Sequence, residues 1–414
     1  MRASESVPGF QAKLREYTNY SVRGIKKICR EIGPRPCGTE SEKKAQEYMA
    51  KNLKDFADTV EIEPFDVHPK AFMGWFWICG ILGIVCVILF NVGLPLVSLI
   101  ITALMLAMIF GEFLIYGQVI DFLFPKKTSH NMIATRKASG ETKRHIVLGG
   151  HIDSVYEWRY TYTGGKALLF GGLGFAIVGL VVLAVMSVAA VVQGALFEAP
   201  EGFARILGFV SIAFVPGFIG MIIFVNYKMP VEGANDNLTG VFTSAAVLKF
   251  LADNDIRFEH TDVTVLSTGG EEAGLRGARA FAKKHKGELG KVESMVIATD
   301  TMRDYEHLAI YTKDMSGTVR NHPQASALLK KAGELAGVEL EYAYLYAGAS
   351  DAAAVSKEKI PATAFAAMDP GPPRYYHTRL DTADNLVPKT IEKGIEVLLE
   401  AVYLFDEKGL QDSY

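Results

Sequence analysis

The sequence contains few cysteines and few charged residues for its length. Only four of its 414 residues are cysteine, and two of these, Cys79 and Cys86, lie inside an apolar run. A disulfide framework is therefore excluded. Charged residues make up 21% of the chain, and the net charge of −3 is spread along it without acidic or basic blocks. Since a nucleic-acid surface needs clustered Lys and Arg, we expect no nucleic-acid partner.

The N-terminal segment also lacks an apolar core. Residues 1–27 are polar and charged, unlike a cleaved secretory signal, so we expect the soluble part of the protein in the cytosol. Hydrophobic residues nevertheless make up 50% of the chain, which is apolar for a soluble enzyme of this size. Part of this apolar sequence is therefore expected to lie in lipid.

The chain contains four long apolar runs, arranged in two closely spaced pairs. A transmembrane helix needs about 20 mostly apolar residues, because the hydrocarbon core of a bilayer is about 30 Å thick. Any one run could instead be a buried core helix, but four runs in tight pairs make that interpretation improbable. We therefore predict four transmembrane helices in two hairpins. The runs are residues 72–90, 94–116, 167–192 and 206–225.

The charges that flank the apolar runs predict an orientation in the membrane. The two distal turns carry Glu198 and Glu201 against a single Arg205. Because Lys and Arg concentrate on the cytoplasmic side of membrane proteins, we expect an integral, multi-pass protein with its soluble part in the cytoplasm. The positive residues on the side shared with the soluble sequence are Lys70, Lys126, Lys127, Arg159, Lys166 and Lys228.

The remaining sequence alternates strand-like and helix-like segments, which is typical of α/β proteins. Thr39 and Glu42, for example, form a Thr-x-x-Glu capping box at the start of a helix. We predict one domain with a mixed, mostly parallel central sheet flanked by helices, interrupted by the two hairpins. The predicted strands lie at 132–135, 145–148, 263–266 and 295–298, and the predicted helices at 239–251, 275–284, 325–336 and 390–405. The domain parts are residues 1–71, 117–165 and 226–414, and the hairpins are residues 72–116 and 166–225.

Five short motifs after strands or in loops carry side chains that can bind a metal or move a proton. In open α/β sheets, ligands bind outside the carboxyl ends of the strands, where several of these motifs are expected. The motifs are Gly-Gly-His-Ile-Asp, Ala-Asn-Asp-Asn, Gly-Glu-Glu-Ala-Gly, Thr-Asp-Thr and Tyr-Tyr-His-Thr. Their candidate residues are His151, Asp153, Asp236, Glu271, Glu272, Asp300, Tyr376 and His377.

Each motif also has a purely structural explanation when it is taken alone. The pair Glu271–Glu272 would favour a helix N-terminus, and Asp236 between two asparagines could form a turn. Taken together, however, the motifs supply two imidazoles and three carboxylates, a donor set that suits two zinc ions. Glu271 is left beside these ligands, where a carboxylate can relay the proton of an activated water.

The ordered motifs resemble those of the di-zinc aminopeptidase family of clan MH, which also contains glutamate carboxypeptidase, the transferrin receptor and glutaminyl cyclase. The match extends from the Gly-Pro-Arg-Pro-Cys-Gly-Thr stretch at 33–39 to the Asp-Thr-Ala-Asp-Asn segment at 381–385. It covers nearly all of the sequence outside the apolar runs. The resemblance implies an enzyme with two Zn²⁺ ions per chain that hydrolyses peptide bonds at the N-terminus of peptides.

The resemblance also implies which residues bind the two metal ions. One zinc ion would be held by His151 and Asp300. The other would be held by Glu272 and His377. Asp236 would bridge the two ions.

Three further residues match positions with catalytic roles in this family. Glu271 resembles the general base that activates the bridging water and later protonates the leaving amine. Asp153 resembles the carboxylate that orients His151, because an acceptor on the second ring nitrogen fixes the tautomer. Tyr376 resembles a phenol that some members direct at the tetrahedral oxyanion.

Several alternatives remain open at this point. The chain reads Ser350-Asp351-Ala352 where many relatives have Ser-Asp-His, which leaves substrate specificity open. A carboxypeptidase or dipeptidase would keep the same metal ligands, and a glutaminyl cyclase is a weaker alternative. A receptor-like relic would lose ligands, and none is lost. A transporter would carry ionisable groups deep in its spans, yet only Glu112 lies within an apolar run, near its end.

The sequence also favours a substrate that comes from the membrane. Only ten residues separate Val225, at the end of the fourth apolar run, from Asp236, and such a segment reaches at most about 35–40 Å. The segment that leads into the third run is rich in aromatics, which favour the headgroup level. We therefore expect a peptide substrate that is apolar or membrane-derived; the alternative is that the aromatics only anchor the hairpin. These aromatics are Tyr156, Trp158, Tyr160 and Tyr162.

Overall fold

The computed structural model describes residues 2–414, which form twelve α-helices and eleven β-strands. The helices are α1 (Phe10–Glu31), α2 (Glu40–Leu53), α3 (Gly74–Asn91), α4 (Pro95–Ile109), α5 (Arg159–Val192), α6 (Gly202–Ile212), α7 (Val215–Ile223), α8 (Thr239–Asp253), α9 (Arg276–Leu289), α10 (Pro323–Leu335), α11 (Asp351–Lys357) and α12 (Pro388–Lys408). The strands are β1 (Thr59–Val67), β2 (Lys127–Arg136), β3 (Arg144–His151), β4 (Tyr156–Trp158), β5 (Val225–Pro230), β6 (Thr261–Thr268), β7 (Glu293–Met302), β8 (Leu308–Asp314), β9 (Val319–Arg320), β10 (Glu341–Tyr344) and β11 (Ala362–Ala367).

One mixed sheet organises the soluble part of the chain. Its strand order is β1-β2-β6-β3-β7-β11-β8-β10, with β9 paired to β8. The four central strands β6, β3, β7 and β11 run parallel to one another, whereas β2 and β8 on either side are antiparallel to them. The prediction of an α/β fold around a mixed sheet with a parallel centre is confirmed.

Helices cover both faces of this sheet, which explains why its central strands are buried throughout. Along β3, Ile146 and Leu148 contact the core formed with α1, α8 and α12. Val147, which points to the other face, contacts the core formed with α9 and α11. Because side chains alternate along a strand, a strand buried on both sides is mostly apolar along its whole length, rather than at every second position. The four predicted strand segments lie inside β2, β3, β6 and β7.

The apolar runs form helices, but the fourth is broken. Three helical segments are long and apolar enough to cross a membrane: Gly74–Asn91, Pro95–Leu114 and Arg159–Val192. The fourth predicted span is divided between α6 and α7, which are bent by 43°. It counts as a span only if this bent pair crosses as one unit. Pro216 lies in the first turn of α7, where a proline cannot continue a preceding helix.

We refer to α3 and α4 as the first hairpin and to α5, α6 and α7 as the second hairpin. The two hairpins pack against each other through α3 and α7 and through α4 and α5. Small residues allow this close approach: a Cβ atom on Gly80 would lie 2.6 Å from the backbone oxygen of Phe218. Ser98 and Ser187 form a buried hydrogen bond of 3.0 Å between α4 and α5. Glycine contacts and interhelical hydrogen bonds are typical of helices that associate in lipid.

Both hairpins leave the sheet at the same edge. Strand β1 is antiparallel to β2, and β2 is antiparallel to β6, so β1 runs in the same direction as β6 and β3. The first hairpin follows the carboxyl end of β1 and returns to the amino end of β2, where Val67 pairs with Lys127. The second hairpin follows β3 through β4 and returns through β5. The apolar helices therefore face the carboxyl edge of the parallel strands.

The close approach of α3 to α7 generates a stability prediction. We expect Gly80→Ala to lower the free energy of unfolding by about 1–3 kcal/mol, because the added methyl group meets backbone that cannot rotate away. Gly174→Ala in α5 is the matched control, since no atom lies within 4 Å of its added Cβ, and alanine favours the helix. Thermal unfolding of both variants in detergent micelles measures the difference. Equal midpoints would contradict close packing of α3 on α7.

Candidate metal centre

The sheet brings the predicted site residues together at its carboxyl edge. His151 is the last residue of β3, and Asp300 lies near the end of β7. Glu271 and Glu272 occupy the turn between β6 and α9. Asp236 lies in the irregular turn before α8. Parallel strands place their carboxyl ends at one edge, which is why residues far apart in sequence converge here.

His377 completes this cluster from a loop near the end of the chain. It follows β11 and precedes α12, and its side chain is 8% exposed. Its Nε2 atom lies 3.4 Å from Oε1 of Glu272. The five predicted metal ligands are therefore brought together in one place.

The carboxylate of Asp236 lies between the two histidines. Its Oδ1 is 3.2 Å from Nε2 of His151, and its Oδ2 is 3.2 Å from Nε2 of His377. Each oxygen of one carboxylate thus faces a different imidazole. This is the arrangement that a ligand shared by two metal ions requires.

The donor atoms form two groups that share Asp236. In one group, atoms of His151, Asp236 and Asp300 lie within 4.8 Å of one another, and in the other, atoms of Asp236, Glu272 and His377 do so. Oε1 of Glu272 is buried without a hydrogen-bond partner, although a buried carboxylate oxygen normally has one. Nitrogen and oxygen donors without a thiolate suit zinc. The residues present therefore fit two metal ions.

The site concentrates negative groups away from water. Burial raises the pKa of Asp300 to about 6 against the opposing effect of His151. Burial also raises the pKa values of Glu271 and Glu272 well above their usual range. Asp236 differs, because the two neighbouring histidines outweigh its burial and lower its pKa. Buried carboxylates need opposite charge nearby, and cations bound among them would supply it.

Asp153 fastens the turn that carries Glu271 and Glu272. It is fully buried, and its two carboxylate oxygens accept hydrogen bonds of 3.1 Å from the backbone N–H groups of those two residues. Nδ1 of His151 lies 3.3 Å from the backbone oxygen of Asp153 and 3.6 Å from its carboxylate. The sequence predicted that Asp153 contacts His151. It did not predict that Asp153 also binds the backbone of the turn that carries Glu271 and Glu272.

Sequence reasoning assigned no role to Asp381, which holds Asp236 in place. The buried carboxylate of Asp381 accepts hydrogen bonds from the backbone N–H groups of Asn235, at 2.8 Å, and of Asp236, at 3.0 Å. It also accepts a bond of 2.7 Å from the side-chain amide of Asn235. The only signal in the sequence was that Asp381 begins the 381–385 segment of the family resemblance.

Asp351 was noted only as part of a departure from the family pattern. The structure places it beside the site, where its Oδ2 accepts a hydrogen bond of 2.5 Å from Thr268 at the end of β6. Its other oxygen is buried without a hydrogen-bond partner. Burial raises the pKa of Asp351 to about 7, with His151 opposing the shift. The site thus includes one more buried carboxylate than the sequence analysis counted.

Glu271 and Tyr376 also line the site. Oε2 of Glu271 lies 3.8 Å from Nε2 of His151. The ring of Tyr376 stacks on that of His377, with centroids 3.8 Å apart and an interplanar angle of 22°. Burial, together with nearby carboxylates such as Asp236, raises the pKa of the Tyr376 phenol. The phenol therefore keeps its proton at neutral pH and can donate it in a hydrogen bond.

One segment of this chain matches a known protein family in sequence, and nearly the whole chain resembles solved structures in fold. Residues 220–402 match peptidase family M28, a segment that contains all the predicted metal ligands except His151. No curated protein sequence matches the chain.

Solved structures resemble nearly the whole chain, and three of them illustrate the likeness. A zinc aminopeptidase from Bacillus subtilis has a TM-score of 0.57 at 14% identity, covering 93% of this chain and 94% of its own. The aminopeptidase from Aneurinibacillus sp. strain AM-1 has a TM-score of 0.54 at 15% identity, covering 94% and 93%. An Acidobacteriales bacterium glutaminyl cyclase has a TM-score of 0.55 at 14% identity, covering 95% and 96%. The resemblance indicated by the motifs is confirmed: residues 220–402 match peptidase family M28, and the chain has the fold seen in zinc aminopeptidases and glutaminyl cyclases.

Proposed function

We propose that this protein is a membrane-embedded, zinc-dependent peptidase that removes residues from the N-terminus of peptides. The observation that carries the proposal is the position of Asp236, whose two oxygens face His151 and His377. The match to peptidase family M28 supports a metallopeptidase. Two of the similar solved structures are described as aminopeptidases, which favours action at the N-terminus.

Two zinc ions fit the two donor groups. His151 and Asp300 would hold one ion, Glu272 and His377 would hold the other, and Asp236 would be shared. When bound, such ions lower the pKa of a shared water and polarise the carbonyl of the substrate.

Glu271 is placed to move protons. It lies against His151 without being needed by either of the two donor groups that share Asp236, and its backbone is held by Asp153. In the proposed reaction its carboxylate takes a proton from the attacking water and gives it to the leaving amine. Burial, which raises its pKa, makes it a stronger proton acceptor than an exposed carboxylate.

Tyr376 and Asp153 support the same reaction in different ways. The protonated phenol of Tyr376, stacked on His377, would donate a hydrogen bond to the oxyanion that develops on the substrate carbonyl. Asp153 fixes the positions of Glu271 and Glu272 relative to His151, because it accepts hydrogen bonds from their backbone N–H groups. Holding reacting groups in position is itself a large part of catalysis.

The substrate proposed for this site is an apolar or membrane-derived peptide. Both hairpins leave the sheet at the edge where the metal centre lies. A cavity of about 180 Å³ is lined by Met73 and Val225, at the bases of the hairpins, and by Glu272 of the site. A peptide that leaves the bilayer at this level would therefore meet the metal centre directly.

A glutaminyl cyclase is the second candidate, because similar solved structures include glutaminyl cyclases at comparable TM-scores. A carboxypeptidase or dipeptidase would use the same ligands and differ only in which end of the substrate it recognises. These alternatives give different products, so one set of assays separates them.

Substrate choice is directly testable. We expect full-length protein in liposomes to release the N-terminal residue from unblocked peptides, and a chelator to abolish this activity until zinc is restored. Of two peptides with the same first residue, the apolar one should have the higher kcat/KM. Mass spectrometry of the products provides the measurement.

The outcomes of this assay are distinct. Release of the C-terminal residue would identify a carboxypeptidase, and cyclisation of an N-terminal glutamine would identify a glutaminyl cyclase. Equal kcat/KM for the matched apolar and polar peptides would show that the hairpins do not select the substrate.

The second prediction separates the proton acceptor from the metal ligands. Glu271→Gln should lower kcat about 10²–10⁴-fold, because an amide cannot accept the proton, and should leave the zinc content unchanged. Asp236→Asn should instead lose zinc, because it removes the shared anionic ligand. Zinc content by mass spectrometry and kcat are measured for both variants. Near-normal turnover by Glu271→Gln would rule out the proposed mechanism.

The third prediction concerns orientation, since the flanking lysines favour a cytoplasmic catalytic domain. A cysteine at Glu198, exposed between α5 and α6, should react with an impermeant thiol reagent in intact cells. A cysteine at Lys283, exposed on α9, should react only after the cells are permeabilised. The reverse labelling pattern would place the catalytic domain outside the cytoplasm.

A further inference from the structure

The loop that carries His377 is joined to the base of the second hairpin by an ion pair. Glu157, just before α5, is 1% exposed, and its carboxylate accepts two hydrogen bonds of 2.6 Å from Arg379. Such paired bonds fix the geometry of both groups. The side-chain amide of Asn226, in the returning strand β5, donates a further bond of 3.3 Å to Glu157. Strand β4 therefore holds this loop through Glu157, and β5 holds Glu157 through Asn226.

Trp158 contacts His377 directly. Its backbone N–H donates a hydrogen bond of 2.8 Å to the backbone oxygen of His377. Its indole ring lies against the imidazole, with centroids 4.2 Å apart and an interplanar angle of 86°. One residue later α5 begins, so the third apolar segment starts next to a proposed metal ligand.

The same indole ring continues into the helices of the two hairpins. Trp158 packs against Phe224, which follows α7, with ring centroids 5.1 Å apart. Phe224 in turn stacks on Phe76 of α3 at 4.7 Å, and Phe224 is fully buried. A continuous series of aromatic contacts therefore connects His377 with both hairpins.

The two histidines of the site are held by different means. Nδ1 of His151 has a backbone acceptor at Asp153. Nδ1 of His377, by contrast, is buried and has no hydrogen-bond partner among residues 2–414. A metal-binding imidazole is usually oriented by an acceptor on its second nitrogen. With none present, the orientation of His377 depends on packing, between Tyr376 on one side and Trp158 on another.

We propose that the base of the second hairpin, residues 157–158, positions His377 and thereby sets how tightly this half of the site binds its metal. Trp158 and Glu157 are then positioning residues. The second hairpin contributes to metal binding in addition to anchoring the protein. The inference rests on the proposed function in one respect, namely that His377 is a zinc ligand.

The test uses full-length protein in detergent and two variants of the hairpin base. Trp158→Leu removes the ring that contacts His377, and Arg379→Lys keeps the charge but loses the paired hydrogen bonds to Glu157. We expect each variant to bind one of its two zinc ions 10–100-fold more weakly in competition with a chelator, because partners of metal ligands typically contribute this much. The kcat should fall, while KM changes less than about twofold, since these residues do not touch the peptide.

Matched control variants distinguish a specific effect on His377 from a general loss of packing. Trp77→Leu removes a tryptophan from the first hairpin that contacts Phe124 and lies outside the aromatic series that leads to His377. Arg257→Lys breaks a paired ion contact with Asp58 on the surface. Both controls should bind zinc as the unmodified protein does. Trp158→Phe, which keeps an aromatic ring, should recover most of the zinc affinity lost in Trp158→Leu.

A second measurement follows His377 without using activity. Because Trp158 contacts the imidazole, adding zinc to metal-free protein should change the tryptophan fluorescence, and Trp158→Phe should abolish that change. Unaltered zinc affinity and kcat in both Trp158→Leu and Arg379→Lys would overturn the inference alone. Failure of the unmodified protein to bind zinc would overturn the proposed function as well.

Discussion

One buried carboxylate, that of Asp236, determines how the rest of the site is arranged. It lies between two imidazoles and among other carboxylates that burial makes costly to ionise. Such a group is stable only if its position is fixed and opposite charge is close. Asp381 fixes it by accepting the backbone N–H bonds of the turn that carries it. Asp153 fixes the neighbouring turn in the same way, by accepting the backbone N–H bonds of Glu271 and Glu272.

The topology places the apolar helices at the same edge of the sheet as the site. Loops at the carboxyl ends of parallel strands can vary without disturbing the core, because they contribute little to the packing of the sheet. In this protein, the two apolar hairpins replace the loops that follow β1 and β3. The strand that ends in His151 therefore also leads into the second hairpin through β4. The site residues and the apolar helices are neighbours because the sheet has only one such edge.

Local patterns predicted the parts of the molecule that local physics decides. The central strands were recognisable because burial on both faces requires continuous apolar runs, and the motif residues because they follow those strands. Apolar composition predicted the fourth run as one span and does not report the size of a bend, although Pro216 in that run favours a kink, and α6 and α7 are bent by 43°. Asp381 and Asp351 were not assigned to the site, because their partners lie far away in sequence: Asp381 contacts Asn235, and Asp351 contacts Thr268. No short pattern can encode such contacts, and only the assembled sheet reveals them.

The two imidazoles of the site are oriented by residues at different distances along the sequence. The orientation of His151 is set by Asp153, two residues away in the same loop, so it should persist whatever the helices do. The orientation of His377, as we propose, is set by packing against Trp158, which directly precedes the long apolar helix α5. A hydrogen bond to a near neighbour resists displacement, whereas packing holds only while both partners keep their places. The half of the site next to the apolar helices is thus the half whose geometry depends on them. In the proposed function, these helices would influence the chemistry through His377 rather than through His151.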